Sequence, residues 1–565
     1  MTFRLLLCLV AWIAVPAAAQ VATPVLPREA AVASANAQAT QAGLEVLRAG
    51  GNAFDAAVAV SATLGLVEPE SSGLGGGGFF LLHLAGENRD VFVDARETAP
   101  SAATRDMFLG ADGEPVRGLS VNGALAAAIP GLPAALDHVS RKYGRLPLAK
   151  ALGPAARLAR EGWRFDAKNA AMLGYRLEYL SSNAGASALL LRGGKAPVVG
   201  SRMRNPDYAR TLKLLGEQGA AGFYRGAFAA RLVDGVRAAG GIWTLDDLAK
   251  YRVVEREPIR FTHRGYAIVT APPPSAGGAM LAQVFQVLDG YDFAPMGRVD
   301  RAHLLVEAMR RSYRDRAIYF GDPDFVKVPL DLLQSPQYAA GLRASINPAR
   351  ATPSDLLPGI VATPVRPQTT HFSIIDRDGN LAAVTQTVNL PFGNGLVVAG
   401  SGFLLNNEMD DFSAKAGVPN AFGLVGEDAN AIAPGKRPLS SMTPSILRGT
   451  ERVAVLGTPG GSRITSMVLL ATIALMDGAT PQEAVALPRF HHQYLPDVIS
   501  AEQGAFNADE QKALEQRGHT VAAGERTWGN MYIASWDLRS GAVATGADPR
   551  WEGEGRGASA GDIHR

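Results

Sequence analysis

Cysteine is almost absent from this chain of 565 residues, which contains a single one, Cys8. A chain with one cysteine cannot form an internal disulfide or build a zinc site from cysteines. Charge of one sign is not in excess either, because 55 lysines and arginines stand against 53 aspartates and glutamates. No basic run and no acidic tail stands out, which argues against nucleic-acid binding.

The N-terminus has the pattern of a secretory signal peptide. Arg4 precedes an apolar run from Leu5 to Val15, and Ala17-Ala18-Ala19 forms a small-residue cleavage site. We predict that residues 1–19 are removed and that the mature protein, without its only cysteine, is periplasmic or secreted. An uncleaved anchor is the alternative, but the run is too short to span a bilayer comfortably. Later apolar runs, such as Ile464 to Met476, are also too short, so we expect no membrane span after signal removal.

Thr369 begins the segment with the clearest chemical potential. Two strand-like runs flank the turn Asp376–Asn380 and predict a β-hairpin. Counting outward from this turn places Thr369 opposite Thr387, and the Cβ atoms of such pairs lie about 4.5–5.5 Å apart. A pair of strand threonines that only stabilises the sheet is the alternative interpretation.

A threonine becomes a better nucleophile when it stands at a chain terminus. Its hydroxyl then lies beside a free α-amine with a typical pKa of about 7.7–8.0, which can accept the hydroxyl proton. The proline-containing stretch 348–368 is the best linker candidate, so the chain could cut itself between Gln368 and Thr369. Before such a cut, Thr387 could orient the attacking hydroxyl.

A glycine-rich turn near residue 460 could stabilise a developing negative charge. It follows a short strand, Val453–Leu456, and precedes an apolar helix predicted over Arg463–Met476. Backbone N–H groups at such a helix start attract anions, so Gly460 and Gly461 are candidate oxyanion donors. The alternative is an ordinary tight turn with Ser462 as the helix N-cap.

Several polar residues could hold a charged substrate. Arg96 has a guanidinium fork that suits a carboxylate, and Ser440 and Ser441 offer hydroxyl groups. Glu408 and Asp411 could hold an ammonium group. A surface salt bridge or a turn is the alternative role for each residue taken singly.

Two further motifs carry less weight. Gly73–Gly78 fits the dinucleotide pattern G-x-G-x-x-G, but a strand follows it where a helix is required. His491 and His492 are adjacent and would point to opposite faces of a strand, with no carboxylate at helical ligand spacing. We therefore predict neither a dinucleotide site nor a metal site.

These segments resemble the gamma-glutamyltransferase family, whose members are N-terminal nucleophile hydrolases. The resemblance covers nearly all of the mature chain. Its motifs in this sequence are Gly43–Ala53, Ser71–Gly78, Ala271–Gly278, Thr369–Ser373, Leu404–Asn407, Met409–Ser413, Arg437–Met442, Pro459–Arg463 and Pro488–His492.

The resemblance implies an α+β fold, an αββα sandwich built from two subunits cut from one precursor. The large subunit would span residues 20–368 and the small subunit 369–565, with Thr369 as the terminal nucleophile. The implied enzyme is a γ-glutamyltransferase and glutathione hydrolase. It would act on glutathione and other γ-glutamyl compounds through a γ-glutamyl-threonine intermediate, resolved by water or by an amino-acid or dipeptide acceptor. No cofactor is implied.

The resemblance also assigns roles around the nucleophile. Thr387 matches the threonine that hydrogen-bonds it, and Gly460 and Gly461 match the oxyanion donors. The residues that match the holders of the substrate α-carboxylate are Arg96, Ser440 and Ser441. The residues that match groups around its α-amino end are Asn389, Glu408 and Asp411.

Residues 417–424 resemble the lid loop over the pocket. Well-known bacterial members carry a tyrosine where this chain has Phe422. Phenylalanine keeps the apolar cover, but it cannot donate a hydrogen bond to Asn389. The sequence does not decide how the lid closes or how hydrolysis is balanced against transfer.

Two rival functions follow from the same residues. A related acylase would act on another amide, such as a glutaryl-cephalosporin, but that substrate has no α-ammonium group for Asp411 to hold. A non-catalytic extracytoplasmic binding protein would remain one uncut chain.

Overall fold

The computed structural model of the chain describes residues 24–293, 295–356 and 369–558. The predicted signal peptide, the end of the predicted linker and Gln368 lie outside these ranges. No helix in the described ranges has the length and apolar character needed to cross a membrane.

The described ranges contain eighteen β-strands and eighteen α-helices, numbered in chain order. The strands are β1 Ala30–Ser34, β2 Gly77–Leu84, β3 Arg89–Ala95, β4 Trp163–Arg164, β5 Arg202–Met203, β6 Val254–Arg256, β7 Ile259–His263, β8 Tyr266–Thr270, β9 Thr370–Ile375, β10 Leu381–Thr387, β11 Ser445–Arg448, β12 Arg452–Gly457, β13 Phe490–His491, β14 Ile499–Glu502, β15 Val521–Gly524, β16 Tyr532–Asp537, β17 Val543–Ala547 and β18 Glu554–Ala558.

The helices are α1 Ala37–Arg48, α2 Ala53–Val67, α3 Leu132–Tyr143, α4 Leu148–Ala151, α5 Gly153–Glu161, α6 Ala167–Ser182, α7 Ala184–Leu190, α8 Pro206–Gln218, α9 Ala220–Tyr224, α10 Gly226–Ala238, α11 Leu245–Lys250, α12 Gly277–Leu288, α13 Arg298–Tyr319, α14 Leu330–Leu333, α15 Pro336–Ala344, α16 Ile464–Met476, α17 Pro481–Ala486 and α18 Ala508–Gln516. Short 3₁₀ turns include Glu408–Asp411 and Gly461–Arg463.

Two antiparallel sheets form the centre of the molecule. The seven-stranded sheet has the order β18-β1-β9-β10-β2-β3-β6, and the six-stranded sheet has the order β17-β16-β12-β11-β8-β7. Two small sheets, β13-β14-β15 and β4-β5, complete the strand pairing.

The alternation of side chains along β2 shows how four layers stack. Phe80 and Leu82 join the apolar core that contains α2, whereas Phe79 and Leu81 join the core that contains β11, β12, α12 and α16. Successive strand residues point to opposite faces, so the large sheet is covered by helices on one side and by the second sheet on the other. The order of layers is therefore helix, sheet, sheet, helix.

The predicted hairpin is present with the predicted register. In β9 and β10, Ile375 pairs with Leu381 and Thr370 pairs with Gln386. Continuing this register by one residue places Thr369 opposite Thr387. Because β1 pairs with the other edge of β9, the hairpin lies inside the seven-stranded sheet.

Candidate active site

Thr369 and Thr387 lie side by side at the end of the hairpin. Their hydroxyl oxygens are 3.2 Å apart, and both residues are buried. The Thr387 hydroxyl also accepts a hydrogen bond of 2.7 Å from the backbone N–H of Asn389. This backbone contact fixes the Thr387 side chain beside the hydroxyl of Thr369.

The glycine run dismissed as a nucleotide motif packs against this pair. A Cβ atom on Gly76 would lie 2.0 Å from the carbonyl oxygen of Thr387, a distance that no side chain could tolerate. The glycines therefore let the chain before β2 run directly beside the end of β10. Their role is close backbone approach.

A buried ion pair fixes the residue that follows Thr369. The hydroxyl of Thr370 donates a 2.8 Å hydrogen bond to Glu68, which in turn pairs with Lys168. Sequence analysis did not single out this pair, because Glu68 and Lys168 are a hundred positions apart and no local pattern links them.

The glycine turn stands between β12 and α16 as predicted. Gly460 and Gly461 have φ values of 148° and 57°, in the left-handed range that favours glycine. Ser462 does not cap the helix: Arg463 occupies the N-cap position without a side-chain cap, and the Ser462 carbonyl accepts a hydrogen bond from Tyr313. The alternative of an ordinary turn capped by Ser462 is therefore wrong for this structure.

Arg96 lies at the centre of a buried charge cluster. Its two terminal nitrogens form ion pairs with Glu408 and Asp411, and its Nε donates to the carbonyl of Pro438 at 3.0 Å. Glu97 stands 3.7 Å away and contributes a third carboxylate. Three acidic groups around one guanidinium leave the cluster electrostatically negative if all of them are ionised.

Burial changes the protonation of this cluster. Desolvation raises the pKa of Glu97 to about 7 and raises that of Glu408 well above its usual range, although Arg96 opposes both shifts. Desolvation alone would lower the pKa of Arg96, but the neighbouring carboxylates outweigh it and raise the pKa. Arg96 is therefore permanently charged, while the carboxylates compete for it.

The remaining predicted substrate groups surround this cluster. Ser440 accepts a hydrogen bond of 3.1 Å from the N–H of Met442, whereas the buried Ser441 hydroxyl has no hydrogen-bond partner among the described residues. Asn389 has a positive φ of 78°, and its side chain donates to the carbonyl of Asn407 at 2.8 Å.

The segment predicted as a lid packs against the charge cluster around Arg96. Phe422 is buried, and its N–H donates to the side chain of Asn420 at 3.0 Å. The amide nitrogen of Asn420 lies 3.3 Å from a carboxylate oxygen of Asp411. This segment is thus connected through Asp411 to the charge cluster around Arg96.

One cavity of only about 20 Å³, large enough for a single water, brings most of the predicted residues together. The predicted site residues that line it are Arg96, Thr369, Thr387, Asn389, Glu408, Asp411, Phe422, Ser440, Ser441 and Gly461. Gly460 is adjacent but does not line it.

Arg316 also lines this cavity and was missed by sequence analysis. It belongs to α13, where the many charged residues suggest a solvated face. The signal lay in the helical spacing: Leu305, Met309, Ser312 and Arg316 recur every three or four positions and are all buried. A charged residue at the next position of such a buried stripe is expected to be buried as well.

The two adjacent histidines are occupied by other contacts. The ring nitrogens of His491 lie 2.8 Å from Ser466 and 2.9 Å from Gln493, while His492 contacts Asp497 at 3.1 Å. Within the described ranges no group of three histidine, cysteine or acidic side chains has the arrangement of a metal site.

Known proteins resemble this chain over almost its whole length. The sequence profile described as gamma-glutamyltranspeptidase matches residues 39–558. The chain belongs to the gamma-glutamyltranspeptidase family. It is 43% identical over 508 residues to the glutathione hydrolase proenzyme of Escherichia coli, covering 89% of this chain and 87% of that protein. It is 42% identical over 504 residues to the glutathione hydrolase proenzyme of Pseudomonas sp. strain A14, covering 88% of each chain.

A solved structure shows the same architecture. The cephalosporin acylase from Bacillus halodurans superposes with a TM-score of 0.81 at 27% identity, covering 97% of this chain and 99% of that one. The predictions of a gamma-glutamyltransferase-type enzyme and of an αββα sandwich of the N-terminal nucleophile hydrolase type are confirmed.

Proposed function

We propose that this chain is the precursor of a γ-glutamyltransferase that also hydrolyses glutathione. Cleavage between Gln368 and Thr369 would yield a large subunit of residues 20–368 and a small subunit of residues 369–565. The observation that carries the proposal is the 3.2 Å contact between the Thr369 and Thr387 hydroxyls, at a cavity that also holds paired buried charges.

Self-cleavage begins with Thr369 still inside the chain. Its hydroxyl attacks the carbonyl carbon of Gln368, while Thr387 orients the hydroxyl through their shared hydrogen bond. The bond between the Gln368 carbonyl carbon and the nitrogen of Thr369 breaks, the nitrogen takes the hydroxyl proton, and water hydrolyses the resulting ester and restores the hydroxyl. The products are a carboxylate at Gln368 and a free α-amine at Thr369.

The same hydroxyl then attacks γ-glutamyl amides. The α-amine of Thr369 accepts the hydroxyl proton as a C–O bond forms to the γ-carbonyl carbon. The N–H groups of Gly460 and Gly461 stabilise the oxyanion, assisted by the positive end of α16. The C–N bond breaks, the leaving amine takes the proton, and a γ-glutamyl ester of Thr369 remains. Water or the amine of an amino acid or dipeptide then attacks this ester.

The charged groups of the cavity suit a zwitterionic donor. A γ-glutamyl group presents one carboxylate and one ammonium, and the cavity offers groups of both signs. Arg96, Ser440 and Ser441 are proposed for the carboxylate. Asn389, Glu408 and Asp411 are proposed for the ammonium group, and Phe422 for the apolar cover that keeps water out.

Acylation by a glutaryl amide is the second candidate, and the similarity to a cephalosporin acylase favours testing it. A glutaryl group lacks the ammonium. The buried carboxylates of Glu408 and Asp411 then have no cation to bind beyond Arg96, so the γ-glutamyl donor is preferred. Relative turnover of γ-glutamyl and glutaryl anilides separates the two functions.

An extracytoplasmic location belongs to the same proposal. The N-terminal signal pattern supports export to the periplasm or medium, where glutathione and other γ-glutamyl compounds would be donors. Amino acids and dipeptides would be acceptors. N-terminal sequencing of the mature protein tests this: we expect a large chain that starts at Gln20.

Removal of the Thr369 hydroxyl tests the nucleophile. The purified wild-type protein should give two polypeptides on a denaturing gel, the smaller one starting at Thr369. Thr369→Ala should remain a single chain and lose γ-glutamyl-p-nitroanilide hydrolysis by on the order of 10⁴-fold or more. Thr369→Ser, which keeps a hydroxyl, should still be cut. An active wild-type protein whose chain is intact, or normal maturation of Thr369→Ala, would disprove the assignment.

A further inference from the structure

We propose that the loop of residues 192–202, together with the strand pair β4-β5, is a docking surface for anionic phospholipid membranes. The inference goes beyond the proposed function, because the side chains concerned take no part in the proposed reaction. We call this surface the cationic patch. Its members are all exposed, and they are Arg164, Arg192, Lys195, Val198, Val199 and Arg202.

Positive charge is concentrated in the segment that contains this patch. Between Trp163 and Asn205 the chain has seven lysines and arginines against two acidic residues, whereas the whole chain has 55 against 53. One of the two acids, Asp166, is engaged as the N-cap of α6 and accepts a 2.7 Å hydrogen bond from the N–H of Asn169. The segment therefore has a local excess of cations that its own acidic residues do not balance.

Two arginines of the patch stand opposite each other in β4-β5. Arg164 pairs with Arg202 in the antiparallel register, so both side chains lie on the same face of the strand pair. Among the described residues neither guanidinium forms an ion pair. Like charges placed directly opposite each other are destabilising, and an anion from outside the protein would relieve this repulsion.

A tight turn adds two more cations. Arg192 and Lys195 exchange backbone hydrogen bonds of 2.9 and 3.2 Å across Gly193 and Gly194, whose φ values of 58° and 74° suit such a turn. Within the part of the chain that the structure describes, neither side chain has an acidic partner. The turn thus holds both cations at the surface with no protein anion to neutralise them.

Two valines expose apolar surface beside these cations. Val198 is 79% exposed and Val199 is 53% exposed. The loop is anchored behind them, because the N–H of Gly200 donates to the carbonyl of Phe165 at 2.7 Å. A Cβ atom on Gly200 would lie 3.4 Å from a terminal nitrogen of Arg164, so the valine loop contacts that guanidinium. The valines and the cations therefore form one continuous surface.

An anionic membrane fits both parts of this surface. Lipid phosphates attract exposed cations, and the interfacial region of a bilayer also takes up apolar side chains. A nucleic acid or an acidic polysaccharide would satisfy only the cations, and the patch contains no aromatic side chain on which a base could stack. Export, as proposed above, would bring the protein to a membrane surface.

Sedimentation of the mature enzyme with phospholipid vesicles tests the inference. We expect binding to vesicles of equal parts phosphatidylglycerol and phosphatidylcholine, release in about 1 M salt, and no binding to phosphatidylcholine alone. Arg164→Gln with Arg202→Gln should lower the partition coefficient about 25-fold, at about 5-fold for each cation. Lys250→Gln with Arg539→Gln is the matched control, because it removes two cations that are each 76% exposed and paired with acids. Its binding should stay close to that of the wild type.

A fluorescent label tests whether the valines enter the lipid. The only cysteine, Cys8, lies in the predicted signal peptide, so Val198→Cys gives the mature protein one labelling site. The emission of an environment-sensitive dye at this site should shift to shorter wavelength with phosphatidylglycerol vesicles. The same dye on Leu332→Cys, at a residue that is 50% exposed, should not shift. Val198→Ser with Val199→Ser should weaken vesicle binding without changing its salt dependence.

Three results would each overturn the inference: equal binding of the wild type to both kinds of vesicle, equal loss in the arginine pair and the control pair, or no dye shift at position 198. Binding to heparin without binding to vesicles would also overturn it and would identify a different polyanion as the partner. Hydrolysis of γ-glutamyl-p-nitroanilide in solution should be the same in all variants and shows that they are folded. If a variant is inactive, the lipid preference and salt release of the wild type still decide. Vesicle binding is measured without substrate, so its failure leaves the proposed function untouched.

Discussion

Single residues around Arg96 show how closely opposing charges pack in the protein interior. Glu97 is fully buried, and neither of its carboxylate oxygens has a hydrogen-bond partner among the described residues. Its nearest cation is Arg96, 3.7 Å away and shared with two other carboxylates. Such a carboxylate binds a proton more tightly in the folded protein than in the unfolded chain.

This proton predicts a pH-dependent stability. Burial raises the pKa of Glu97 from its ordinary 4.5 to about 7. The contribution of this proton to the free energy of unfolding is therefore fully present below pH 4.5 and is lost as the pH rises towards 7. Relative to Glu97→Gln, the wild-type free energy of unfolding should fall by about 3 kcal/mol over that range. Urea unfolding at pH 4.5 and 7.5, with both proteins in the uncut Thr369→Ala form, measures this difference. Parallel pH profiles would contradict the prediction.

Individual site residues differed in how far sequence could predict them. The pairing of Thr369 with Thr387 follows from counting outward from a five-residue turn, because the turn fixes which residues of the two strands lie opposite each other. Arg316 and Lys168 could not be found in that way. Each meets its neighbours only after segments about a hundred positions apart pack together, and burial of a charge leaves little trace in local sequence.

At the scale of secondary-structure elements, one side chain joins the β9–β10 hairpin to α2. The Oδ1 atom of Asp376 accepts hydrogen bonds from the N–H groups of Asp378 and Asn380 at 3.0 and 2.9 Å. Its Oδ2 atom accepts from the N–H of Ala53 at 2.9 Å, at the positive end of α2. The turn is thereby closed and docked by the same carboxylate.

Asp376→Ala should therefore loosen the hairpin at its closed end. We expect the free energy of unfolding of the uncut form to fall by about 3 kcal/mol, because several buried donors lose their acceptor at once. Asp378→Ala is the control in the same turn. Asp378 is exposed and, within the part of the chain that the structure describes, its side chain pairs only with exposed Arg145, so its loss should cost about 0.5 kcal/mol or less. Equal effects of the two variants in urea unfolding would refute this explanation.

The strands at the sheet edge were harder to predict than the hairpin. The glycine-rich end of the chain has the composition of a loose tail, yet Glu554–Ala558 forms β18 and pairs with β1. Ladder hydrogen bonds with a strand from the other end of the chain supply the order. A non-local partner of this kind decides the structure of a segment whose own sequence shows little preference.

At the scale of the whole molecule, the two proposed subunits are interleaved in both sheets. In the seven-stranded sheet, β9 and β10 from the small part lie between β1 and β2 from the large part. In the six-stranded sheet, β8 from the large part pairs with β11 from the small part. The two apolar cores likewise contain residues from both parts.

Cleaved chains should consequently stay together without a covalent link. We expect the two polypeptides to co-elute in size-exclusion chromatography, even in 1 M salt, since apolar packing and sheet hydrogen bonds are insensitive to ionic screening. They should separate only in denaturant and unfold together in one thermal transition. Dissociation at high salt, or two well-separated transitions, would show that the interface is polar and weak.

The position of β9 between two partner strands has a further consequence. The first substrate of the proposed enzyme is its own backbone, and one product of that reaction begins at the head of a strand held on both edges. Because β9 is paired on both edges, this new N-terminus stays in place after the single cleavage. Its α-amine is therefore fixed at the position where later substrates would bind. The proposed enzyme thus cleaves its own backbone once and then catalyses many transfer reactions.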